Sequence, residues 1–342
     1  MSSVIKKSGT TGFQMEVSSP YIVTAHHRDH FPRGNSNMEP VEYVAGRRIG
    51  NDFDINEPWR MYYGDKISGF PVHPHRGFET VTIVTKGLVD HADGSGAGGR
   101  YGFGDVQWMT AGSGMQHSEM FPLEFQDKDN PFELFQIWLN LPAAKKFVDP
   151  YYKMIWNEEI PTVTTIAENG NKAAVRILNG TYHEHKFIHA NPDSWAADPY
   201  NHVNILLIRL EQGTSVTLHS VPHDVTRTIY FYEGKTLSVD ETEVHVETYH
   251  VLDGTQNVTL TNNSVSVAHI LLLDGRPIDE PIMAYGPFVM NTYEEIERAY
   301  SDYHATQFGG WPWKDDGPVY DRSEGRFAKY ADGTVIKPPV LE

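Results

Sequence analysis

Alternating apolar and polar positions, the pattern of β-strands, recur along most of the chain. Runs rich in Val, Ile, Thr, Tyr and Phe are bounded by Gly, Asn, Asp or Pro, as expected of strands joined by turns. The predicted strands are Glu79–Thr85, Asp105–Met109, Leu134–Leu139, Val203–Leu210, Ser215–His219, Thr228–Tyr232, Thr236–Val239, Glu243–Glu247, Asn257–Thr261 and Val265–Leu273. From residue 203 onward, their short and regular spacing indicates a β-sandwich or a barrel.

A polar region separates two groups of predicted strands, which predicts an all-β fold of two domains with short connecting helices. We place the first domain at residues 20–142 and the second at residues 170–280. Residues 281–342 then form a C-terminal helix and a tail rich in Gly, Pro and aromatic residues. Periodicity gives no element for this tail, which we expect to wrap the surface.

The clearest predicted helix is Tyr293–Tyr303, at the start of the C-terminal segment. Thr292 and Glu295 have the spacing of a capping box, in which each side chain accepts a hydrogen bond from the backbone N–H of the other residue. Apolar side chains recur on one face at i, i+3, i+4 and i+7, namely Ile296, Ala299, Tyr300 and Tyr303. We expect this face to pack on the β domains.

Charge and composition exclude several classes of protein. The 342 residues include 28 Lys and Arg against 45 Asp and Glu, a formal net charge of −17 at pH 7. Because so acidic a chain repels phosphate backbones, we expect no direct contact with nucleic acid. The absence of cysteine excludes disulfides, thiol catalysis and thiolate metal sites. With neither a signal peptide nor an apolar run of about 18 residues, we expect a cytoplasmic protein without membrane association.

The candidate chemistry lies in two short motifs, His73-Pro-His75 and, later in the chain, His117-Ser-Glu119. In a strand, residues i and i+2 point to one face, with Cα atoms roughly 6.5–7 Å apart. Two such pairs on neighbouring strands aim three imidazoles and one carboxylate at a common point, where metal–ligand bonds of about 2.0–2.2 Å close the site. The alternative is that these residues are hydrogen-bonded core histidines or belong to an exposed polar rim.

Apolar neighbours of both motifs favour the metal site over these alternatives. They are Phe70, Phe78, Trp108, Met109, Met115, Met120 and Phe121. Burying unpaired imidazoles and a carboxylate among such side chains is costly, and a divalent cation removes that cost. Glu79 lies four residues after His75 and would share its face on a continuous strand. It is therefore either a further metal ligand or an acceptor that orients a ligand imidazole.

The motifs resemble those of a known family. Two stretches, Phe70-Pro-Val-His-Pro-His-Arg-Gly-Phe-Glu-Thr-Val-Thr82 and Gly104-Asp-Val-Gln-Trp-Met-Thr-Ala-Gly-Ser-Gly-Met-Gln-His-Ser-Glu119, are similar to the two metal-site motifs of the pirin family. Gly286-Pro-Phe-Val-Met-Asn-Thr292 resembles its C-terminal signature. Pirins belong to the cupin superfamily, so the resemblance implies two cupin-type β-barrels in tandem, a bicupin.

By this resemblance the metal ligands are His73, His75, His117 and Glu119. The usual metal is Fe(II), with Mn(II), Ni(II), Cu(II) or Zn(II) as alternatives. The general cupin pattern would use Glu79 where the pirin pattern uses Glu119, and we follow the pirin pattern. The resemblance also implies a second barrel without metal ligands. We therefore interpret its histidines as surface residues, namely His219, His223, His245 and His250.

Four protein ligands on an octahedral ion leave two positions open, for a chelating oxygen substrate, for O₂, or for one of each. Some pirins resemble flavonol dioxygenases in activity, so the resemblance implies a metal-dependent quercetin 2,3-dioxygenase type of oxidoreductase. Its substrates would be O₂ and a small aromatic compound that chelates the metal through oxygen, with Glu119 as general base. We predict apolar pocket walls formed by Phe70, Phe78, Trp108, Met115 and Phe121.

Two other functions remain open at this point. In one, implied by the co-regulator role of animal pirins, the protein is not an enzyme, and its metal state controls binding to a regulatory protein partner. The acidic surface suits a partner with basic patches. In the other, the metal site is filled and purely structural, which open coordination positions would argue against.

Overall fold

A computed structural model describes residues 4–42, 44 and 46–340 of the chain. The strands of its first half are β1 (Ile5–Thr10), β2 (Gln14–Met15), β3 (Tyr21–Phe31), β4 (Ser68–His75), β5 (Phe78–Lys86), β6 (Leu88–Asp93), β7 (Gly98–Gly102), β8 (Val106–Thr110), β9 (Met115–Phe121), β10 (Asn130–Asn140) and β11 (Tyr151–Ile155).

The strands of the second half are β12 (Thr162–Ile166), β13 (Lys172–Tyr182), β14 (His185–Phe187), β15 (Asn204–Leu210), β16 (Thr214–Leu218), β17 (Thr226–Glu233), β18 (Thr236–Val239), β19 (Thr242–His245), β20 (Thr248–Leu252), β21 (Val258–Asn262), β22 (Ala268–Gly275), β23 (Met283–Tyr285), β24 (Phe288–Met290), β25 (Phe327–Lys329) and β26 (Val335–Ile336). The α-helix α1 spans Tyr293–Thr306, and short 3₁₀ turns occur at Ala143–Lys145, Trp195–Ala197, Pro199–Asn201, Gln307–Gly309 and Arg322–Glu324. No helix in these described stretches has both the length and the apolar character needed to span a membrane.

The chain divides into two compact units, and both are discontinuous in sequence. Unit 1 consists of residues up to 25, 137–140 and 160–279. Unit 2 consists of residues 26–136, 141–159 and those from 280 onward. The C-terminal segment that the sequence sets apart from residue 281 therefore belongs to unit 2.

Unit 1 contains a larger sheet in the order β1-β20-β17-β22-β15-β13-β12, with β14 paired to β13, and a smaller sheet in the order β16-β21-β18-β19. β15 and β22 pair antiparallel along their length, from Asn204 opposite Asp274 to Leu210 opposite Ala268. Buried apolar side chains from both sheets form one core, including Val216, Ile270 and Leu272. The interior of this unit is thus a close-packed hydrophobic core.

The interpretation of the second-barrel histidines as surface residues is wrong for His250. This side chain is only 4% exposed. Its Nδ1 lies 2.8 Å from Oγ of Ser8, and its Nε2 lies 2.9 Å from Oγ1 of Thr248. Strand β1, which the sequence pattern does not predict, pairs with β20 and places Ser8 opposite His250. Both ring nitrogens are therefore satisfied by hydroxyl groups.

Unit 2 contains a sheet in the order β26-β25-β7-β6-β9-β4, a second that includes β11-β8-β5-β10-β3, and the two-stranded β23–β24 sheet. Strand β4 is the edge of the first sheet, which suits Pro74 because proline gives no N–H to a ladder. In the antiparallel pair of β4 and β9, His73 lies opposite His117. The register shifts between Phe70 and His73, an irregularity at the start of the histidine motif.

The predicted helix is confirmed as α1, which runs one turn further than expected, to Thr306. The capping box is present: the Glu295 N–H donates to Oγ1 of Thr292 (3.2 Å), and the Thr292 N–H donates to the Glu295 carboxylate (3.1 Å). Ile296 and Ala299 are buried in a small cluster with Phe288 and Met290 of β24. The apolar stripe thus packs on the β23–β24 hairpin of unit 2.

The tail that follows α1 is fastened to the sheet of β7, β6 and β9. β25 extends that sheet by pairing with β7, with Phe327 opposite Arg100. The buried Arg100 side chain donates two 2.7 Å hydrogen bonds to the Asp90 carboxylate. It also donates to the carbonyl oxygens of Tyr320 (2.7 Å) and Asp321 (2.9 Å). A buried ion pair therefore holds the backbone of the tail.

Asp105 forms a second attachment for the tail. Its carboxylate accepts hydrogen bonds from the Gly102 N–H (2.9 Å), the Asn157 N–H (2.8 Å) and the guanidinium of Arg326 (2.7 Å). Burial nevertheless raises the pKa of Asp105 to about 6, because the loss of hydration outweighs these contacts.

We expect Asp105 to make stability depend on pH. Its pKa is higher in the folded than in the unfolded state, so the folded protein holds this proton more tightly. The contribution is fully present below about pH 4 and is lost as the pH rises through about 6, on the order of 3 kcal/mol in all. Urea unfolding of wild type and Asp105→Asn between pH 4 and 7 measures it. A difference in unfolding free energy that stays constant across this range would contradict the prediction.

Candidate metal centre

Three imidazoles meet in unit 2, two from β4 and one from β9. One possible ligand atom from each of His73, His75 and His117 lies within 4.8 Å of the others. Ring centroids are 4.4 Å apart for His73 and His117, 4.8 Å for His73 and His75, and 5.0 Å for His75 and His117. Among the residues that the structure describes, these three histidines are the side chains whose possible ligand atoms lie close enough together to hold one metal ion.

Regular strand geometry and one glycine produce this convergence. His73 and His75 lie two residues apart on one strand and so share a face. The chain passes very close to β9 at Gly69, where φ is +137°. A Cβ at this position would lie 2.4 Å from the carbonyl oxygen of Glu119, a distance that no side chain tolerates. Glycine at 69 therefore allows β4 to approach β9 just before the histidine motif.

Hydrogen bonds fix which ring nitrogen carries the proton in two of the three imidazoles. Nδ1 of His73 lies 2.8 Å from the carbonyl oxygen of Pro71, and Nδ1 of His75 lies 3.4 Å from that of Pro287. Because a carbonyl only accepts, Nδ1 carries the proton in both rings, and the lone pair of each ring lies on Nε2. This is the tautomer that binds a metal through Nε2.

His117 supplies the strongest indication that the site suits a metal. It is fully buried, and neither of its ring nitrogens has a hydrogen-bond partner among the described residues. Leaving a polar side chain buried and unsatisfied costs free energy, whereas a bond to a cation satisfies the exposed lone pair. The donor set of three imidazoles is one that divalent first-row metals accept.

The protonation of the histidines also fits metal binding. Burial lowers the pKa of His73 to about 4 and lowers those of His75 and His117 well below the usual value. Neighbouring imidazoles lower the pKa of His75 and His117 further, since each disfavours a positive charge on the next. All three rings are thus neutral near pH 7, the form that binds a cation.

Glu119 lies at the edge of this group. Its Oε2 is 3.9 Å from Nε2 of His117. The carboxylate accepts hydrogen bonds from Oγ1 of Thr82 (3.2 Å) and from Nε2 of Gln136 (2.9 Å). Burial raises its pKa, partly offset by His91 and by these hydrogen bonds. The structure therefore places the carboxylate beside the imidazoles, held from β5 and β10.

Comparison with known proteins assigns the chain to a family. The family model for pirin matches residues 33–139, and the model for the pirin C-terminal cupin domain matches residues 205–309. A mouse protein named Pirin is 34% identical over 254 residues, which cover 72% of this chain and 80% of the mouse protein. This chain belongs to the pirin family.

Further relatives support this assignment and the fold. A Pseudomonas aeruginosa protein named "Putative quercetin 2,3-dioxygenase" is 36% identical over 240 residues, 70% of this chain and 79% of that protein. A crystal structure of quercetin 2,3-dioxygenase from Acinetobacter baumannii aligns with a TM-score of 0.70 at 28% identity, covering 90% of this chain and 98% of that one. The prediction of a pirin-type fold with two cupin barrels is thereby confirmed.

In this pirin-family chain, Glu79 occupies a different position from Glu119. β5 and β8 pair in unbroken register from Glu79 opposite Thr110 to Ile83 opposite Val106. Side chains alternate along such a strand, so Glu79 lies on the face opposite to Thr82, which contacts Glu119. The Glu79 carboxylate accepts a 2.7 Å hydrogen bond from Oγ1 of Thr110.

Two of the residues predicted as pocket walls, Phe70 and Phe78, have rings next to those of the histidines. The Phe78 ring lies 5.1 Å from that of His75, and the Phe70 ring lies 6.3 Å from that of His73. Phe121 packs behind Phe70 at 6.0 Å. Met115 pairs with His75 across the strands. Trp108 is fully buried and pairs with Val81, on the sheet face that also carries Glu79.

Sequence reasoning missed a further histidine beside the centre, the buried His91. The ring of His91 lies 5.7 Å from that of His117, and His91 is opposite Glu119 across β6 and β9. Its Nε2 lies 3.3 Å from the Asp93 carboxylate. His91-Ala-Asp93 has the same i, i+2 spacing as the two motifs that were recognised. That spacing was the signal that would have revealed it.

Proposed function

We propose that this protein is a metal-dependent dioxygenase that acts on quercetin-like flavonols. The observation that carries the proposal is the meeting of three neutral imidazoles, two of them buried and one of these without any hydrogen-bond partner in the described chain. The names of the Pseudomonas relative and of the Acinetobacter structure support the choice of reaction.

His73, His75, His117 and Glu119 would hold the metal, which we propose to be Fe(II). Three neutral imidazoles and one carboxylate leave a bound divalent ion with a net charge of +1, so it would supply a Lewis acid that attracts the deprotonated oxygen of a flavonol.

Within this site, Glu119 is suited to act on the substrate hydroxyl. Its pKa is raised by burial, which makes the carboxylate a stronger base than an exposed one. Hydrogen bonds from Thr82 and Gln136 fix both carboxylate oxygens. We propose that Glu119 takes the proton of the flavonol 3-hydroxyl, while Phe70 and Phe78 exclude water and contact the flat rings.

Turnover of quercetin tests the proposal directly. The protein loaded with Fe(II), Mn(II), Ni(II) or Cu(II) is incubated with quercetin and O₂, and the flavonol absorbance is followed. We expect metal-dependent loss of absorbance that His117→Ala abolishes. Equal rates for wild type and this variant, with every metal, would refute the function.

Replacing Gln136 tests how Glu119 is held. Gln136→Met removes the 2.9 Å hydrogen bond to the carboxylate but keeps the length of the side chain. We expect metal affinity to fall by about 10–100-fold, as when other partners of ligand side chains are lost. Competition with a chelator measures this.

Thr85→Val is the matched control, because it removes a 2.8 Å hydrogen bond to Glu133 between the same two strands, β5 and β10. Equal affinities in the Gln136 and Thr85 variants would show that Gln136 has no role in metal binding.

A further inference from the structure

A row of aromatic rings leads from the surface of unit 2 to the histidines. Ring centroids are 4.9 Å apart for Phe53 and Tyr63, 5.8 Å for Tyr63 and Phe70, and 6.3 Å for Phe70 and His73. Phe53 is 37% exposed and Tyr63 is 50% exposed. The outer end of the row therefore presents aromatic surface to solvent, while the inner end touches a proposed metal ligand.

The loop that carries the outer rings is fastened by its backbone. Asp52 and Tyr62 exchange two N–H···O hydrogen bonds of 2.8 and 3.0 Å, and the Tyr63 N–H donates to the carbonyl of Gly69 at 3.1 Å. The hydroxyl of the buried Tyr62 donates to the Asp29 carboxylate at 2.7 Å. The backbone that carries the exposed rings is thus fixed, and the rings also contact each other and Phe70, which reduces the entropy lost when a ligand binds them.

The three-histidine group is most exposed on the side of strand β4, and we infer that a ligand approaches from this side. Residues 70–74 of this edge strand are all partly exposed, including His73, whereas His75 and His117 are buried. A compound that binds at the histidines from this side passes the Phe70 ring. Any part of it that extends outward meets Tyr63 and then Phe53.

We propose that Phe53, Tyr63 and Phe70 form a platform for the aromatic ring of the substrate that does not bind the metal. This rests on the proposed function, and it adds the residues that select a multi-ring over a single-ring substrate. Offset or edge-to-face ring pairs with centroids 4.5–7 Å apart attract each other, each contributing about two- to tenfold in affinity. The chain's own rings at 4.9–5.8 Å already adopt this spacing.

The test is a binding titration that excludes turnover. The full-length Mn(II)-loaded protein is titrated with quercetin without O₂, and bound ligand is followed by quenching of protein fluorescence. We expect the double variant Phe53→Ala/Tyr63→Ala to raise the Kd for quercetin about tenfold or more. Oxalate, which chelates a metal but has no ring, should bind with unchanged Kd, as followed by electron paramagnetic resonance of the Mn(II).

Two further variants separate the rings from general effects on the fold. Phe53→Tyr/Tyr63→Phe keeps both rings and should keep the wild-type Kd for quercetin. Tyr151→Ala removes a ring of similar exposure, 44%, from β11 and should leave quercetin binding unchanged. A wild-type Kd in the double alanine variant, or an equal weakening of oxalate binding, would overturn the platform.

The binding and turnover experiments separate this inference from the function on which it rests. A protein that binds quercetin through Phe53 and Tyr63 but never consumes it supports the platform and refutes the dioxygenase. If the protein consumes quercetin but the double variant binds quercetin as tightly as wild type, the dioxygenase is supported and the platform is refuted.

Discussion

His117→Ala is expected to abolish metal binding in unit 2. The imidazole contributes the fully buried ring of the three-histidine group, and alanine offers no donor in its place. Loss of a mere hydrogen-bond partner of a ligand costs about 10–100-fold in affinity, so loss of the ligand itself should cost at least about 100-fold. Equilibrium dialysis followed by elemental analysis measures the change.

Metal-linked stability provides a second measurement on the same variant. A ligand that binds only the folded state stabilises it by about 2.7 kcal/mol at a concentration 100 times its Kd. We expect wild type to show this gain in urea unfolding, and His117→Ala to gain no more than about 0.4 kcal/mol at the same metal concentration.

His250→Ala is the matched control, because it removes a buried imidazole of unit 1 that is bonded to Ser8 and Thr248. It should bind metal like wild type. Stoichiometric binding of wild-type affinity by His117→Ala would remove the basis of the proposed function.

Arg100→Met is expected to be the most destabilising single change in the tail attachment. The variant leaves the Asp90 carboxylate buried without its cation, and burial already raises the pKa of Asp90. Removing one partner of a buried ion pair costs about 3–5 kcal/mol. It also removes the two hydrogen bonds to the carbonyl oxygens of Tyr320 and Asp321. Urea unfolding measures the loss.

An exposed pair provides the comparison for Arg100. Arg209 lies 2.8 Å from Glu211 with its side chain 42% exposed, so Arg209→Met should cost less than about 1 kcal/mol. Asp90→Leu combined with Arg100→Met should be less destabilising than Arg100→Met alone, because no uncompensated charge remains. If Arg100→Met and Arg209→Met have equal effects, the buried pair does not hold the tail as described.

The predictable part of the fold comprises strands with one apolar face. The segment predicted at Glu79–Thr85 is observed as β5, Phe78–Lys86. Strand β3, Tyr21–Phe31, was not predicted, because polar residues occupy buried positions within it. Asp29, for example, is 1% exposed and is paired with Arg60 at 2.9 Å. A partner 31 residues away makes such a position possible, and the local pattern contains no trace of it.

The same distinction applies to the site. The meeting of His73, His75 and His117 could be predicted because i, i+2 spacing fixes the face of each side chain once the strands are neighbours. The residues that hold Glu119 could not. Gln136 comes from another sheet, and its contact with Glu119 depends on how these two sheets of unit 2 pack.

The discontinuity of unit 2 has a consequence for biosynthesis. The ribosome completes the histidine motifs before it translates α1, the anchors at Tyr320 and Asp321, and β25. Until β25 has been translated, β7 lacks this strand partner. We accordingly expect removal of residues 320–340 to destabilise the unit that carries the histidine motifs, although these motifs lie far earlier in the sequence.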